Sequence, residues 1–118
     1  MGMERSAFGE FFYMLIKSAD LTPTEFYRKL DITKPYFYEI VSGRSKPPPP
    51  HLQFQALAIL NADNEKRNEF LDLAAAERNE VPADISEQIK QHPELNDGVR
   101  DYLKQQLAND EWRINENE

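Results

Sequence analysis

Two helix-start signals stand so close together within residues 21–35 that the chain between them has room for one short helix and one tight turn. At the first, Thr22 is placed to cap, and Pro23 takes the first helical position, where its missing N–H costs nothing. Glu25 can reach back to the cap, and Leu21 can pack on Phe26 across the helix start. The second repeats the device, with Thr33 as cap, Pro35 in the first turn and Ile32 opposite Phe37. Only Asp31 and Ile32 remain to turn the chain, so the two helices must cross sharply, as in a helix-turn-helix. In the second of them Phe37 and Ile40 are expected inward, and Lys34, Tyr36, Tyr38 and Glu39 outward or on the flanks. Gly43 is expected to end it, because glycine takes the left-handed conformation without steric cost.

The surrounding chain has helical spacing and no strand pattern or internal repeat. Residues 6–19 place Phe8, Phe12, Leu15, Ile16 and Ala19 on one face, with Phe11, Tyr13 and Met14 off it, so this helix is expected to be covered on more than one side. The four prolines at 47–50 read as a stiff spacer that begins no helix before His51, in preference to a ligand for a proline-binding groove. A helix over residues 52–60 is expected to bury Phe54, Leu57 and Leu60. A further one, to about Arg78, should bury Phe70, Leu71, Ala74 and Ala75. Asp84 and Glu87 then suggest a capping box ahead of Ile85 and Ile89, with His92 and Pro93 ending that helix. Leu95, Val99, Tyr102, Leu103 and Leu107 mark a last helix, with Gly98 the one residue that speaks against its continuity. From Asn109 the chain is polar and acidic and reads as a frayed tail, with Trp112 and Ile114 as docking points.

At 118 residues the chain is long enough for one modest core. It has no apolar stretch of membrane-spanning length and no secretory pattern, which points to the cytoplasm. Without cysteine there are neither disulfides nor thiolate zinc sites. The net charge of −7 is unevenly spread. Residues 1–62 carry seven Lys/Arg against six Asp/Glu, about +1, whereas residues 63–118 carry seven against fifteen, −8. Attraction to a polyanion would therefore depend on where the cations lie.

Phe8-Gly9, Leu21-Thr22, Leu30-Asp31-Ile32-Thr33, then Tyr36, Phe37 and Ile40, and Ser42-Gly43-Arg44 followed by Lys46-Pro47 stand in an order and spacing that resembles the Xre/Cro-type helix-turn-helix family of bacterial and phage regulators. The resemblance covers about residues 6–62. It implies an all-α, lambda-repressor-like five-helix DNA-binding domain over residues 1–62. Residues 63–108 would form a helical extension that completes the core or dimerises, ahead of the tail at 109–118. It also implies a third helix in the major groove of double-stranded DNA, and a homodimer on a two-fold symmetric site. Carried over by position, the base-reading candidates are Lys34, Pro35, Tyr36 and Tyr38, with Arg44 and Lys46 on phosphate and Arg28 and Lys29 as minor contributors. Three residues depart from the family pattern: Pro23 stands where many members have a glutamine, Asp31 replaces a turn glycine, and Tyr27 replaces a small residue between the helices.

The leading expectation is thus a sequence-specific DNA-binding transcriptional regulator, most simply a repressor. The alternative is a helix-turn-helix module that contacts a protein partner, as an antitoxin, antirepressor or developmental adaptor does. Glu39 is expected to pair with a nearby Lys or Arg rather than to accept from a cytosine amino group. Phe11, Tyr13 and Met14, with Leu95, Val99, Tyr102, Leu103 and Leu107, form either a dimer surface or two faces that cover each other within one chain. His51 and His92 are read as capping residues rather than metal ligands. No nucleophile-base pairing or phosphate loop stands out, so neither an enzyme nor a bound cofactor is expected.

Overall fold

Ser6 opens the first helix by accepting a hydrogen bond from the Gly9 N–H at 2.9 Å. Helix α1 then runs Ala7–Ser18 in the computed structural model, which describes residues 4–112. All regular secondary structure among the described residues is helical, with no strand. Next come α2 (Pro23–Leu30), α3 (Lys34–Ser42), α4 (Pro50–Leu60), α5 (Asn64–Arg78), α6 (Ala83–Gln91), a single 3-10 turn at Pro93–Leu95, α7 (Asn96–Gln106) and the short α8 (Asn109–Trp112). None of the described helices is long and apolar enough to cross a membrane. Two compact units divide the chain, Met1–Asp84 and Ile85–Glu118.

The first unit is built around phenylalanine. Phe12 of α1 has the rings of Phe8, Phe26, Phe37 and Phe70 at centroid distances of 5.4, 5.2, 5.8 and 5.8 Å, and all five side chains are fully buried. Burying each contributes about 1.5–3 kcal/mol, and tilted or edge-on ring pairs add roughly 0.5–1.5 kcal/mol more. Because these rings come from α1, α2, α3 and α5, the first unit takes in α5, whose Phe70, Leu71, Ala74 and Ala75 are all buried. Helix α5 also returns to the N-terminus of α1, where Glu77 Oε2 accepts from the Phe8 N–H at 2.8 Å. A carboxylate at that end satisfies an otherwise orphan donor and opposes the helix dipole favourably.

Several boundaries differ from the sequence expectation. Helix α4 begins at Pro50, one residue ahead of the limit set at His51, because proline at the first helical position gives up no hydrogen bond. On α4 the buried side chains are Gln53, Ala56, Leu57 and Leu60, while Phe54 is half-buried. Asp84 is not a cap: α6 starts at Ala83, which places Asp84 inside its first turn. Gly98 does not break α7, whose backbone is helical straight through it. Leu95 lies in the preceding 3-10 turn and Leu107 is the C-cap, so the helix itself is shorter than the apolar stripe. The tail expected to fray from Asn109 makes one helical turn as far as Trp112, over whose ring Lys104 Nζ sits 5.3 Å from the centroid. Ile114 lies outside the described residues.

Candidate nucleic-acid interface

The α2–α3 unit is assembled from local chemistry. Thr22 Oγ1 accepts from the Glu25 N–H at 3.1 Å while the Thr22 N–H donates to Glu25 Oε1 at 2.9 Å, a complete capping box. Thr33 caps α3 by accepting from the Tyr36 N–H at 3.2 Å. Between them Asp31 takes φ 61 and ψ 43, the left-handed conformation that aspartate tolerates better than most residues. Its N–H donates to Arg28 O at 3.1 Å, and the Ile32 N–H to Tyr27 O at 3.0 Å, which closes the turn. The Tyr27 ring is half-buried and tilted against Phe37 of α3, centroid to centroid 5.7 Å.

On α3, Phe37, Ile40 and Val41 are buried and define the inward direction. With about 100° between successive residues, Pro35, Glu39 and Ser42 fall nearly opposite, Tyr38 lies to one side, and Lys34 and Tyr36 take the two flanks. Exposure agrees: Lys34, Pro35 and Glu39 are exposed, whereas Tyr36 and Tyr38 are half-buried and pack against the core. Tyr38 meets Phe37 edge-on at 5.0 Å. Of the base-reading candidates, then, Pro35 stands at the centre of the outward face, Tyr38 and Lys34 beside it, and Tyr36 is turned partly into the core.

Gly43 ends α3 at φ 86, and a Cβ there would lie 2.9 Å from Ser6 Cβ. The chain then folds back on its own helix. The Ser45 N–H donates to Glu39 O at 3.0 Å, Ser42 Oγ donates to Glu39 O at 3.1 Å, and the Arg44 N–H and Nε donate to Ser42 Oγ at 3.3 and 3.2 Å. The Glu39 carboxylate takes the Ser45 hydroxyl, Oγ to Oε2 at 2.9 Å, and forms no ion pair among the described residues. The expected pairing with Lys or Arg is thereby corrected, for a nearby serine reaches the carboxylate first. Ser45 was not singled out from the sequence, and Ser42 only as part of the Ser42-Gly43-Arg44 motif; only the three-dimensional return of the chain brings them to Glu39.

Downstream, Pro47 and Pro48 are buried, so the proline run is part of the fold. Arg78 Nη1 of α5 donates to Pro47 O at 2.8 Å, and Gln53 Nε2 donates to Pro48 O at 2.8 Å, while Gln53 Oε1 has no partner among the described residues. Lys46 is thus carried on a loop anchored just beyond it. Arg28 and Lys29 in the last turn of α2, Lys34 at the start of α3, and Arg44 and Lys46 after its end are all exposed, and none forms an ion pair among the described residues. Of the nearby carboxylates, Glu25 is held below the ordinary glutamate range, first by the Thr22 backbone N–H, then by the Thr22 side chain and by Lys29.

The docking candidates are distributed over both units. Phe11 and Tyr13 are half-buried and Met14 is 40% exposed. Arg5 Cζ lies 4.0 Å above the Tyr13 ring and Lys17 Nζ 5.4 Å from it. In the second unit Leu95, Tyr102, Leu103 and Leu107 are exposed, Tyr102 to 62%, and Val99 is half-buried. Neither histidine makes a side-chain cap bond: His51 lies within the first turn of α4, and His92 stands at the N-cap of the 3-10 turn, its Nδ1 meeting Glu94 Oε1 at 3.0 Å. Among the described residues no three His, Cys, Asp or Glu side chains gather as metal ligands. Comparison with protein-family models, with curated proteins and with solved structures finds no match to the chain.

Proposed function

We propose that this chain is a sequence-specific DNA-binding regulator of the Xre/Cro type, with a lambda-repressor-like first unit that sets α3 into the major groove. It acts as a homodimer on a two-fold symmetric site and represses by occlusion. The observation that carries this reading is that five exposed cations bracket α3 along the chain and form no ion pair among the described residues: Arg28, Lys29 and Lys34 before and at its start, Arg44 and Lys46 after its end. Helix α3, nine residues long, extends roughly 14 Å at 1.5 Å per residue, and a major groove about 12 Å wide admits an α-helix.

Selection from random duplexes followed by salt titration tests the reading. An inverted repeat should be enriched, with affinity falling steeply as salt rises. Replacing Arg44 and Lys46 by Ala should weaken all sequences alike and reduce the salt slope by about one per cation, whereas Lys34→Ala should change relative preference. If neither change alters binding, α3 is not the DNA face. The second reading, a protein-interaction module, is favoured by the exposed apolar residues of the second unit. A nuclease-treated pulldown that recovers a stoichiometric protein partner, alongside a selection that enriches no DNA, would replace the first reading by the second.

A further inference from the structure

We infer that Glu39 reads a cytosine in the major groove, with Ser45 as the residue that positions it; this rests on the reading of α3 as the helix that enters that groove. Glu39 stands in the middle of the outward face of α3, between Pro35 one turn before and Ser42 one turn after. Pro35 has no side-chain hydrogen-bonding group. Ser42 Oγ already donates to Glu39 O and accepts twice from Arg44. Glu39 is therefore the side chain at the centre of the face with hydrogen-bonding capacity to spare. An ionised carboxylate has about four acceptor positions, and Ser45 Oγ occupies one of them, on Oε2.

The base follows from elimination on the groove edges. Phosphate repels a carboxylate, so Glu39 is tolerated only over an N–H donor. Guanine presents acceptors alone at N7 and O6, and thymine presents O4 beside its methyl group. Adenine offers the N6 amino group but sets the N7 acceptor next to it. Cytosine offers N4–H₂ with no acceptor on its own major-groove edge. Ser45 restricts the rotamers of Glu39 before binding, because the same residue holds both its carboxylate and, through the Ser45 N–H, its backbone carbonyl. Less conformational freedom is then lost on contact.

The test is selection from duplexes randomised across both half-sites, run with the full chain and with Glu39→Gln, Ser45→Ala and Ser45→Thr, followed by competition binding at each enriched position. Glu39 is exposed and Ser45 half-buried, both outside the buried core, and helical circular dichroism checks the fold. The unsubstituted chain should fix cytosine at one position per half-site, by at least about fivefold over the other bases, the low end of one base-specific contact. Glu39→Gln should move that preference to adenine, whose N6 and N7 suit an amide, and leave the other positions unchanged. Ser45→Ala should lower the cytosine preference without changing affinity for non-specific DNA, and Ser45→Thr should restore it. A recurrent motif that Glu39→Gln leaves identical at every position overturns this inference while the DNA reading stands. No recurrent motif at all with the unsubstituted chain overturns both.

Discussion

Glu25 and Gly9 each do something that only their own chemistry permits. The Thr22 N–H donates to the Glu25 carboxylate, so the folded-state pKa of Glu25 lies below its unfolded value. Its contribution to stability is thus complete above the unfolded value and is lost as pH falls through the folded one. A carboxyl-detected NMR titration should place Glu25 below the ordinary glutamate range. Thr22→Ala should return it only part of the way, because alanine keeps the N–H, and should cost about 1 kcal/mol as a lost cap. A Glu25 titration at or above the ordinary value would mean that the capping box does not form in solution. Gly9 is held to glycine by space: a Cβ there would lie 1.9 Å from Val41 O and 2.7 Å from Val41 C, backbone atoms that cannot swing aside. This approach lets α1 lie against the end of α3, where the Ser6 N–H also donates to Val41 O at 3.3 Å. Gly9→Ala should therefore lower the unfolding free energy in urea by about 2 kcal/mol, overpacking outweighing the gain in helix propensity.

At the scale of elements, the features readable from sequence were those written in consecutive residues. Thr22-Pro23 and Thr33-Lys34-Pro35 mark the starts of α2 and α3, Asp31 and Gly43 supply the left-handed turns, and the spacing of Phe8, Phe12, Leu15 and Ile16 gives the buried face of α1. Contacts made only when the chain folds back or its elements meet left no such trace. Glu77 on α1, Arg78 on the proline run and Ser45 on Glu39 all depend on how elements meet, and each is a polar residue whose sequence context is that of an ordinary surface position. Gln53 takes the buried place on α4 expected for Phe54, because an amide can satisfy the Pro48 carbonyl that the proline connector turns inward. The outward face of α3 was legible as a face, yet the state of Glu39 on it was not. Arg78 is the sharpest test of how α5 fixes the loop that carries Lys46. Arg78→Ala leaves Pro47 O without its charged donor and should cost about 2 kcal/mol. Glu80→Ala, which removes only the exposed ion pair of the same arginine, should cost under about 0.5 kcal/mol. Urea unfolding of the two variants side by side decides whether the loop anchor or the ion pair matters.

For the molecule as a whole, the inclusion of α5 changes the electrostatics of the proposed DNA-binding unit. Residues 1–84 carry ten Lys/Arg and thirteen Asp/Glu, −3, and residues 85–118 carry four and eight, −4. A unit of net negative charge has little general attraction for a polyanion, so its non-specific affinity should be low, with discrimination resting on the contacts of α3. Binding of that kind gains most from two half-sites engaged together, since the second contact becomes intramolecular once the first is made. On the proposed reading, the stripe of Leu95, Val99, Tyr102, Leu103 and Leu107 serves the dimer, and half-sites on successive turns of the DNA lie about 34 Å apart. Sedimentation equilibrium should find the chain dimeric at micromolar concentration and the Val99→Glu, Leu103→Glu double variant monomeric. Affinity of that variant for a full inverted repeat should fall by at least about a hundredfold, with affinity for a single half-site unchanged. If the double variant stays dimeric, the stripe is not the interface. The exposed Met14 on α1 then becomes the residue to charge, and Met14→Glu should dissociate the dimer in its place.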